Sequence, residues 1–350
     1  MAGASATAAN IRSAPDALAR EAATFRLLND FQRGFPLVEA PFAAVGDACG
    51  LTEDEVLAAL RGWIESGVVS RVGAVFAPRR VGASALAALA APVAELDKIA
   101  ARVSAIPEVN HNYQREHAFN LWFVVTAATI ERLCWIVADI ERDTGCMVIV
   151  LPLEEEFHID LGFDLAGGAR PRARRRSPEL PPLGERACGL GPLERRLITG
   201  LQAGLPLEPR PFAALARGAG FDETEAIALL GRWLDDGLIK RFGVVVRHHE
   251  LGFRANAMCV WDVPDEQVAA LGRLLAGEPA VTLCYRRTRV PPHWRYNLFC
   301  MIHGKSRDRV QALRDELAER LDLDRWPHAV LFSCRRFKQH GARYLTEAAA

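Results

Sequence analysis

The chain contains a long internal repeat, and this repeat limits what it can fold into. Residues 35–75 align without a gap on residues 205–245. Further on, Tyr113 and Arg115 correspond to Tyr285 and Arg287. After this point the second copy contains an insertion of five residues that the first copy lacks. A repeat of this length predicts two copies of one structural unit. Identical residues in the gap-free part include the pairs Pro36/Pro206, Phe42/Phe212, Trp63/Trp233, Gly67/Gly237, Arg71/Arg241 and Gly73/Gly243.

The first part of each copy has the pattern of a winged helix-turn-helix. Helical periodicity covers residues 21–32, 40–48 and 53–66. Thr52 and Glu55 form a capping-box pattern at the start of the third helix, and Asp222 and Glu225 take the same places in the second copy. A glycine stop and a short β-rich segment follow, which predicts a wing after the helices.

The rest of each copy alternates strands and helices. In the first copy the pattern predicts strand 84–93, helix 94–105, strand 109–117, strand 119–127, helix 129–144 and strand 147–158. This βαββαβ order is typical of a ferredoxin-like sandwich. The fold class is therefore α+β, with a tandem duplication. The predicted limits are an N-terminal tail 1–20, winged helix 21–80, ferredoxin-like domain 81–165, Gly/Pro/Arg-rich linker 166–190, winged helix 191–250 and ferredoxin-like domain 251–345.

A winged helix followed by a ferredoxin-like domain resembles the Lrp/AsnC family of bacterial regulators, so DNA binding is the first function to test. The predicted recognition helices begin TEDEVLAAL and DETEAIALL. Carboxylates in the first turn suit the helix dipole but repel phosphates. Residues 1–165 also carry 13 Lys and Arg against 22 Asp and Glu, whereas residues 191–350 carry 24 against 19. We therefore expect DNA not to be the main partner, and an anionic ligand to suit the basic half.

Composition excludes several other classes. No apolar run approaches the roughly 18 residues that a membrane span needs, and the first residues lack an apolar signal sequence, so we expect a cytoplasmic protein without a membrane partner. The eight cysteines include no C-x-x-C pair, which argues against a zinc ribbon or a thioredoxin-like site.

The segment HNYQREHAFNLWF, residues 111–123, concentrates polar chemistry ahead of an apolar strand. Side chains alternate between the faces of a strand, so one face is predicted to carry His111, Tyr113, Arg115 and His117. The matching row of the second copy is Leu283, Tyr285, Arg287 and Arg289, with Arg286 opposite. A Tyr-Arg pair can also have a purely structural role, in which its hydrogen bonds hold the edge of a sheet. The retention of this pair in both diverged copies favours a ligand site. Arg binds carboxylates, and a neighbouring His, which titrates near neutrality, can donate a proton.

Three strings extend the resemblance. HNYQREHAFNLWF, CYRRTRVPPHWRYNLFCMIHG (284–304) and LFSCRRFKQHGARYL (331–345) closely resemble the siroheme decarboxylases, whose two subunits, NirD and NirL, also occur fused in this order. The resemblance covers the chain outside the tail and linker. It implies an Lrp/AsnC-like enzyme of heme d1 biosynthesis, a carboxy-lyase that removes carbon dioxide from two acetate side chains of siroheme to give 12,18-didecarboxysiroheme.

The residues fit that chemistry. A decarboxylated acetate needs a proton, and the remaining carboxylates need cations. The expected catalytic residues are His111, Tyr113, His117 and Tyr285, with His111 or His117 also a candidate axial ligand to the siroheme iron. The macrocycle can accept the electrons, so siroheme is expected to need no added cofactor. The expected substrate-binding residues are Arg115, Arg286, Arg287, Arg289, His303, Arg335, Arg336 and Lys338.

Several alternatives stay open at this point. A tetrapyrrole-responsive regulator explains the fold and the polar face but not the acidic helices. A tetrapyrrole-binding module without activity explains the polar face alone. The replacement of His111 by Leu283 in the second copy favours one composite site, or one productive site beside a degenerate one. Lrp-like domains commonly pair, so either a homodimer or an intramolecular pseudo-dimer of the two halves is expected.

Overall fold

The computed structural model describes residues 20–77, 79–159, 189–247 and 255–345. Nearly all of the predicted N-terminal tail and linker lie outside the described residues. The described chain divides into two compact units, one holding residues 20–75 and 203–247 and the other holding the rest. Within the described ranges, no helix combines the length and the apolar character needed to cross a membrane.

The elements follow the predicted repeat. In chain order they are α1 (20–30), α2 (Pro41–Cys49), α3 (Glu53–Glu65), β1 (Val69–Phe76), β2 (Ala83–Leu89), a 3-10 turn (Val93–Glu95), α4 (Leu96–Ala105), β3 (Val109–Arg115), β4 (Leu121–Ala127), α5 (Ile130–Thr144), β5 (Val148–Ile159), α6 (Pro192–Ala203), α7 (Pro211–Ala219), α8 (Glu223–Asp235), β6 (Ile239–Val246), β7 (Ala255–Trp261), α9 (Asp265–Ala276), β8 (Val281–Arg287), β9 (Leu298–Gly304), α10 (Arg307–Arg320) and β10 (His328–Gln339).

The first unit contains the helix-turn-helix segments. Both predicted capping boxes are confirmed: the side chain of Thr52 accepts from the backbone of Glu55 at the start of α3, and Asp222 accepts from Glu225 at the start of α8. Each box satisfies N–H groups that the first turn of a helix leaves without intrahelical partners. The first turns of α3 and α8 keep the acidic character seen in the sequence.

The wings of the two copies join in a two-stranded sheet, β1 with β6. Buried Phe35 lies against the ring of Phe242 on β6, with centroids 6.3 Å apart. A Cβ on Gly243 would lie 2.4 Å from the carbonyl oxygen of Phe31, so this position excludes a side chain. Arg241 is buried and donates to the carbonyl of Gln32 at 2.9 Å. These contacts give a structural reason for retaining the arginine and the glycine in the second copy.

The second unit is built on a closed eight-stranded barrel in the order β10-β3-β4-β2-β5-β8-β9-β7. Each copy contributes four antiparallel strands, and its first strand lies beside its last, as in a ferredoxin-like sheet. The two sheets join where β3 pairs with β10 and β5 pairs with β8. The predicted βαββαβ order and the predicted pseudo-dimer of the two halves are therefore confirmed.

Three apolar cores organise the barrel unit. Helices α4 and α5 cover the outer face of the first sheet, and α9 and α10 cover that of the second. A third cluster fills the space enclosed by the strands and includes the large side chains Trp122, Tyr285, Trp294 and Phe299. Because side chains alternate along a strand, every other residue of β3 and β8 faces this interior.

Candidate active site

The polar row on β3 faces the barrel interior, as its alternation predicts. Asn112 points the other way, because its amide donates to the carbonyl of Ala100 and to the hydroxyl of Ser104 on α4, at 3.1 and 3.0 Å. His111 and Tyr113 therefore share the inner face, where their rings stack with centroids 6.3 Å apart. A register shift near the start of β3 precedes these residues and leaves their alternation intact.

Arg115 completes this row and is buried, with 7% of its surface exposed. Its guanidinium donates to the carbonyl of Leu331 at 3.0 Å and to the amide oxygen of Asn256 at 3.4 Å. It also lies over the ring of Tyr113, 5.8 Å from the centroid. Burial lowers the pKa of Arg115, because leaving water disfavours the charged form. Within the described ranges, all these partners are neutral, so the positive charge is not balanced.

The second copy repeats this arrangement around Tyr285 and Arg287. Arg287 donates to the carbonyl of Leu151 at 2.7 Å and lies over the Tyr285 ring, 4.6 Å from its centroid. Leu151 on β5 and Leu331 on β10 hold matching places in the two copies, so the two arginines are related by the repeat. Burial also lowers the pKa of Arg287. The barrel interior therefore contains one buried and one partly buried arginine, and the described hydrogen-bond acceptors of both are neutral.

Two other predicted substrate-binding residues, Arg286 and Arg289, are paired with carboxylates instead. Arg286 contacts Glu154 and Asp265 at 2.7 and 2.8 Å. Arg289 contacts Asp262 at 3.0 Å and Asp265 at 2.8 Å. The prediction that Arg289 continues the row on β8 is wrong, because β8 ends at Arg287 and the chain then turns into the inserted loop. These pairs hold the base of that loop and leave little charge for a ligand.

Strand β10 separates its three predicted cations between two faces. Arg336 lies opposite Tyr113 in the ladder and so shares its inner face. Arg335 lies opposite Gln114 and forms an ion pair with Asp97 on the outer side. Lys338 lies opposite Asn112 and donates to the carbonyl of Ile106 at 2.7 Å. Of the three, only Arg336 belongs to the inner polar row.

The predicted site residue His303 lies at the edge of this group. Its Nδ1 is 2.8 Å from the hydroxyl of Thr282. On β7, its partner in the ladder is Asn256, the residue whose amide oxygen accepts from Arg115. His303 is therefore the cross-strand neighbour of a residue that contacts Arg115.

The two candidate histidines differ in position and in hydrogen bonding. His111 Nδ1 lies 3.1 Å from the amide oxygen of Asn110, which can only accept, so Nδ1–H is placed to donate to it. His117 lies beyond β3, which ends at Arg115. The backbone N–H of Arg115 donates to the carbonyl of Asn120 and closes the hairpin there. The prediction that His117 lies on the strand is therefore wrong. Its Nδ1 accepts from the backbone N–H of Phe119 at 3.0 Å.

His117 should make stability depend on pH. Burial lowers its pKa, so the unfolded chain binds the proton more tightly than the folded chain. Its stabilising contribution is complete above the ordinary histidine pKa of about 6.5 and is lost as the pH falls below it. We expect His117→Gln to lose less stability than the parent chain between pH 7 and pH 5, roughly the range in which histidine titrates. Urea unfolding at several pH values measures this, and parallel curves would contradict it.

Trp294 was not among the predicted site residues. It lies in the inserted loop of the second copy and is 1% exposed. Its indole packs edge-on against His117 at 5.3 Å and against Trp122 at 5.0 Å between ring centroids. The aligned copies show the insertion, and the tryptophan within it was the signal that could have pointed to a buried contact. That signal could not tell which surface the loop would cover.

Comparisons with known proteins agree with this architecture. The AsnC-like ligand binding domain model matches residues 80–158 and 250–338, and the model of the siroheme decarboxylase NirDL-like HTH domain matches residues 25–69 and 194–240. The siroheme decarboxylase NirDL subunit of Paracoccus denitrificans is 43% identical over 93% of this chain and 98% of its own length. The siroheme decarboxylase of Hydrogenobacter thermophilus is 31% identical over 92% of this chain and 95% of its own length.

A solved structure is similar along nearly the whole chain. The crystal structure of the siroheme decarboxylase NirDL in co-complex with an iron-uroporphyrin III analogue has a TM-score of 0.64 and 28% identity, covering 93% of this chain and 94% of that one. The predicted family is thus confirmed by sequence relatives and by a shared fold. The chain belongs to the siroheme decarboxylase family, with both halves of the NirDL type in one polypeptide.

Proposed function

We propose that this chain removes carbon dioxide from two acetate side chains of siroheme, giving 12,18-didecarboxysiroheme for heme d1 biosynthesis. The observation that carries the proposal is a pair of interior arginines, the buried Arg115 and the partly buried Arg287, whose described hydrogen-bond acceptors are neutral. A buried cation without an anionic partner is costly, and a carboxylate offsets that cost. Siroheme is a polycarboxylate and supplies several such groups.

Binding follows from the inner face of the barrel. Arg115 and Arg287 would each take a peripheral carboxylate, and Arg336 would hold a third beside Tyr113. The partly exposed rings of His111 and Tyr113 offer aromatic surface to a flat macrocycle. Arg286 and Arg289 stay outside this proposed set because carboxylates neutralise them, and Arg335 and Lys338 because the ladder places them on the outer side. His303 lies beside this set, as the cross-strand neighbour of Asn256, and we assign it no direct contact with the ligand.

The chemistry needs one proton at each reacting carbon. Breaking the bond between the acetate methylene and its carboxylate releases carbon dioxide and leaves an electron pair on the methylene carbon. The conjugated macrocycle delocalises that pair, and a proton then converts the methylene to a methyl group. We assign this proton to the Nε2–H of His111 in its imidazolium form; transfer to the methylene carbon leaves a neutral ring with its remaining proton on Nδ1, beside the Asn110 oxygen.

Tyr113 and His117 have supporting roles in this proposal. Burial raises the pKa of Tyr113, which keeps its hydroxyl protonated and able to donate to a carboxylate. His117 is a weaker candidate for acid or iron ligand, because its Nδ1 lone pair is already engaged by Phe119. Tyr285 is 8% exposed in the interior cluster and holds the guanidinium of Arg287. We therefore treat Tyr285 as a positioning residue.

Anaerobic incubation of the purified chain with siroheme tests the proposal. We expect the product mass to correspond to the loss of two molecules of carbon dioxide, with no added cofactor. Bound siroheme with a shifted absorbance spectrum and an unchanged mass would contradict the decarboxylase. That result would favour a tetrapyrrole sensor, and DNA binding by the siroheme complex would then be measured directly.

A further inference from the structure

A β-bulge lies at the start of β3, next to the proposed proton donor. Consecutive residues of β4 pair with Val109 and with His111, so Asn110 is an extra residue with no opposite residue on β4. Neighbouring side chains of a regular strand point to opposite faces. The bulge instead brings the side chains of Asn110 and His111 together, and the amide oxygen of Asn110 lies 3.1 Å from Nδ1 of His111.

The fold holds Asn110 in this place. The residue is 3% exposed, and its backbone carbonyl accepts from the N–H of His340 at 2.9 Å. An amide oxygen can only accept, so it selects the form of the His111 ring that carries a proton on Nδ1. The ring also stacks on Tyr113, with an angle of 22° between the two planes. These contacts fix the orientation of the ring and leave Nε2 as the nitrogen that faces away from Asn110.

The second copy shows the same arrangement at the matched position. Thr282 corresponds to Asn110 and is the extra residue of a bulge on β8. Its hydroxyl donates its one proton to the carbonyl of Met301 at 3.1 Å, so it accepts from the Nδ1–H of His303 at 2.8 Å. Each copy therefore uses its bulged residue to hold the Nδ1–H group of a histidine, although the two histidines lie on non-equivalent strands. The recurrence with different residue types indicates a task for this position.

We propose that Asn110 is a positioning residue for the decarboxylation, which keeps the proton of the neutral His111 ring on Nδ1 and so presents Nε2 to the reacting carbon. The proposal rests on the function proposed above, in which the imidazolium gives its Nε2 proton to the methylene carbon. The ring left by that transfer has its remaining proton on Nδ1, and the Asn110 oxygen stabilises this form. Asn110 acts through the histidine, so it should affect the proton step more than siroheme binding.

Nitrogen-15 NMR of the chain labelled in histidine tests the position of the proton without any siroheme. Spectra are recorded well above the ordinary histidine pKa of about 6.5, and the His111 signals are those that disappear in His111→Ala. We expect the Nδ1–H form in the parent chain and in Asn110→Asp, which keeps an accepting oxygen. Asn110→Leu has no acceptor and should shift the ring towards the Nε2–H form. An Nε2–H ring in the parent chain, or one form in all three chains, overturns the proposal.

Single-turnover kinetics with siroheme tests the consequence for the reaction. We expect Asn110→Leu to lower the decarboxylation rate on the order of tenfold, as for one lost hydrogen bond, with siroheme affinity within about twofold of the parent chain. Asn110→Asp should recover most of the rate. Thr282→Val is the matched control, because it removes the oxygen from the equivalent bulge of the other copy, and it should change neither the rate nor the His111 signals.

Two kinetic results would contradict this role. A loss of siroheme affinity as large as the loss of rate in Asn110→Leu would place Asn110 in ligand binding. An equal loss of rate in Thr282→Val would assign the effect to disturbance of a bulge. A parent chain that removes no carboxyl group would refute the proposed function instead, and the ring signals would still decide the position of the proton, so the two failures are distinguishable.

Discussion

Replacement of His111 by alanine is expected to lower the rate of siroheme decarboxylation by roughly 10²- to 10⁴-fold, the usual contribution of a positioned general acid. The variant loses the proton donor but keeps Arg115, whose hydrogen bonds go to Leu331 and Asn256 and do not involve the histidine. Substrate affinity should therefore change much less than the turnover rate. Single-turnover kinetics at saturating siroheme measures this difference directly.

The absorbance spectrum of bound siroheme separates the two roles considered for His111. A proton donor leaves the iron ligation unchanged, so the spectrum of siroheme bound to His111→Ala should match that of the parent complex before turnover. A changed spectrum would assign the lone pair on Nε2 to the iron instead. His293→Ala is the matched control, because His293 is exposed in the inserted loop. Full turnover by His111→Ala with an unchanged spectrum would exclude both roles.

Much of the fold could be predicted because the controlling signals are local and occur twice. The capping boxes at Thr52 and Asp222 and the strand alternation around Tyr113 depend on residues a few positions apart. The pairing of β3 with β10 is different, since it joins segments more than 200 residues apart. That pairing brings Arg336 to Tyr113 and sends Arg335 and Lys338 to the outer face, and nothing local indicates it.

The candidate site was predictable in residue type but not in charge balance. Arg286, Arg287 and Arg289 look equivalent in the sequence, yet only Arg287 turns into the interior without a carboxylate partner among the described residues. The difference depends on Asp262 and Asp265, which follow β7 and meet the inserted loop through tertiary folding. Likewise, β3 ends at Arg115, so His117 lies in the following turn and not in the predicted row.

Replacement of Trp294 by alanine is expected to lower the free energy of unfolding by about 3–5 kcal/mol, the range for a large buried aromatic side chain. The indole is 1% exposed and packs against the aromatic rings of His117, Phe119, Trp122, Tyr296 and Phe299. Truncation removes these contacts and leaves a cavity in the interior core. Chemical unfolding monitored by far-UV circular dichroism measures the loss.

The effect should arise from the interior position of Trp294 and not from tryptophan removal in general. Trp135 on α5 is 53% exposed, so Trp135→Ala is the matched control and should change stability by no more than about 0.5 kcal/mol. Trp294→Phe should recover a large part of the loss, because it restores an aromatic ring. Arg289 and Arg295 fix the loop through Asp262, so the loop itself should stay in place in both Trp294 variants. A loss below about 1 kcal/mol in Trp294→Ala would mean that the insertion is not part of the barrel core.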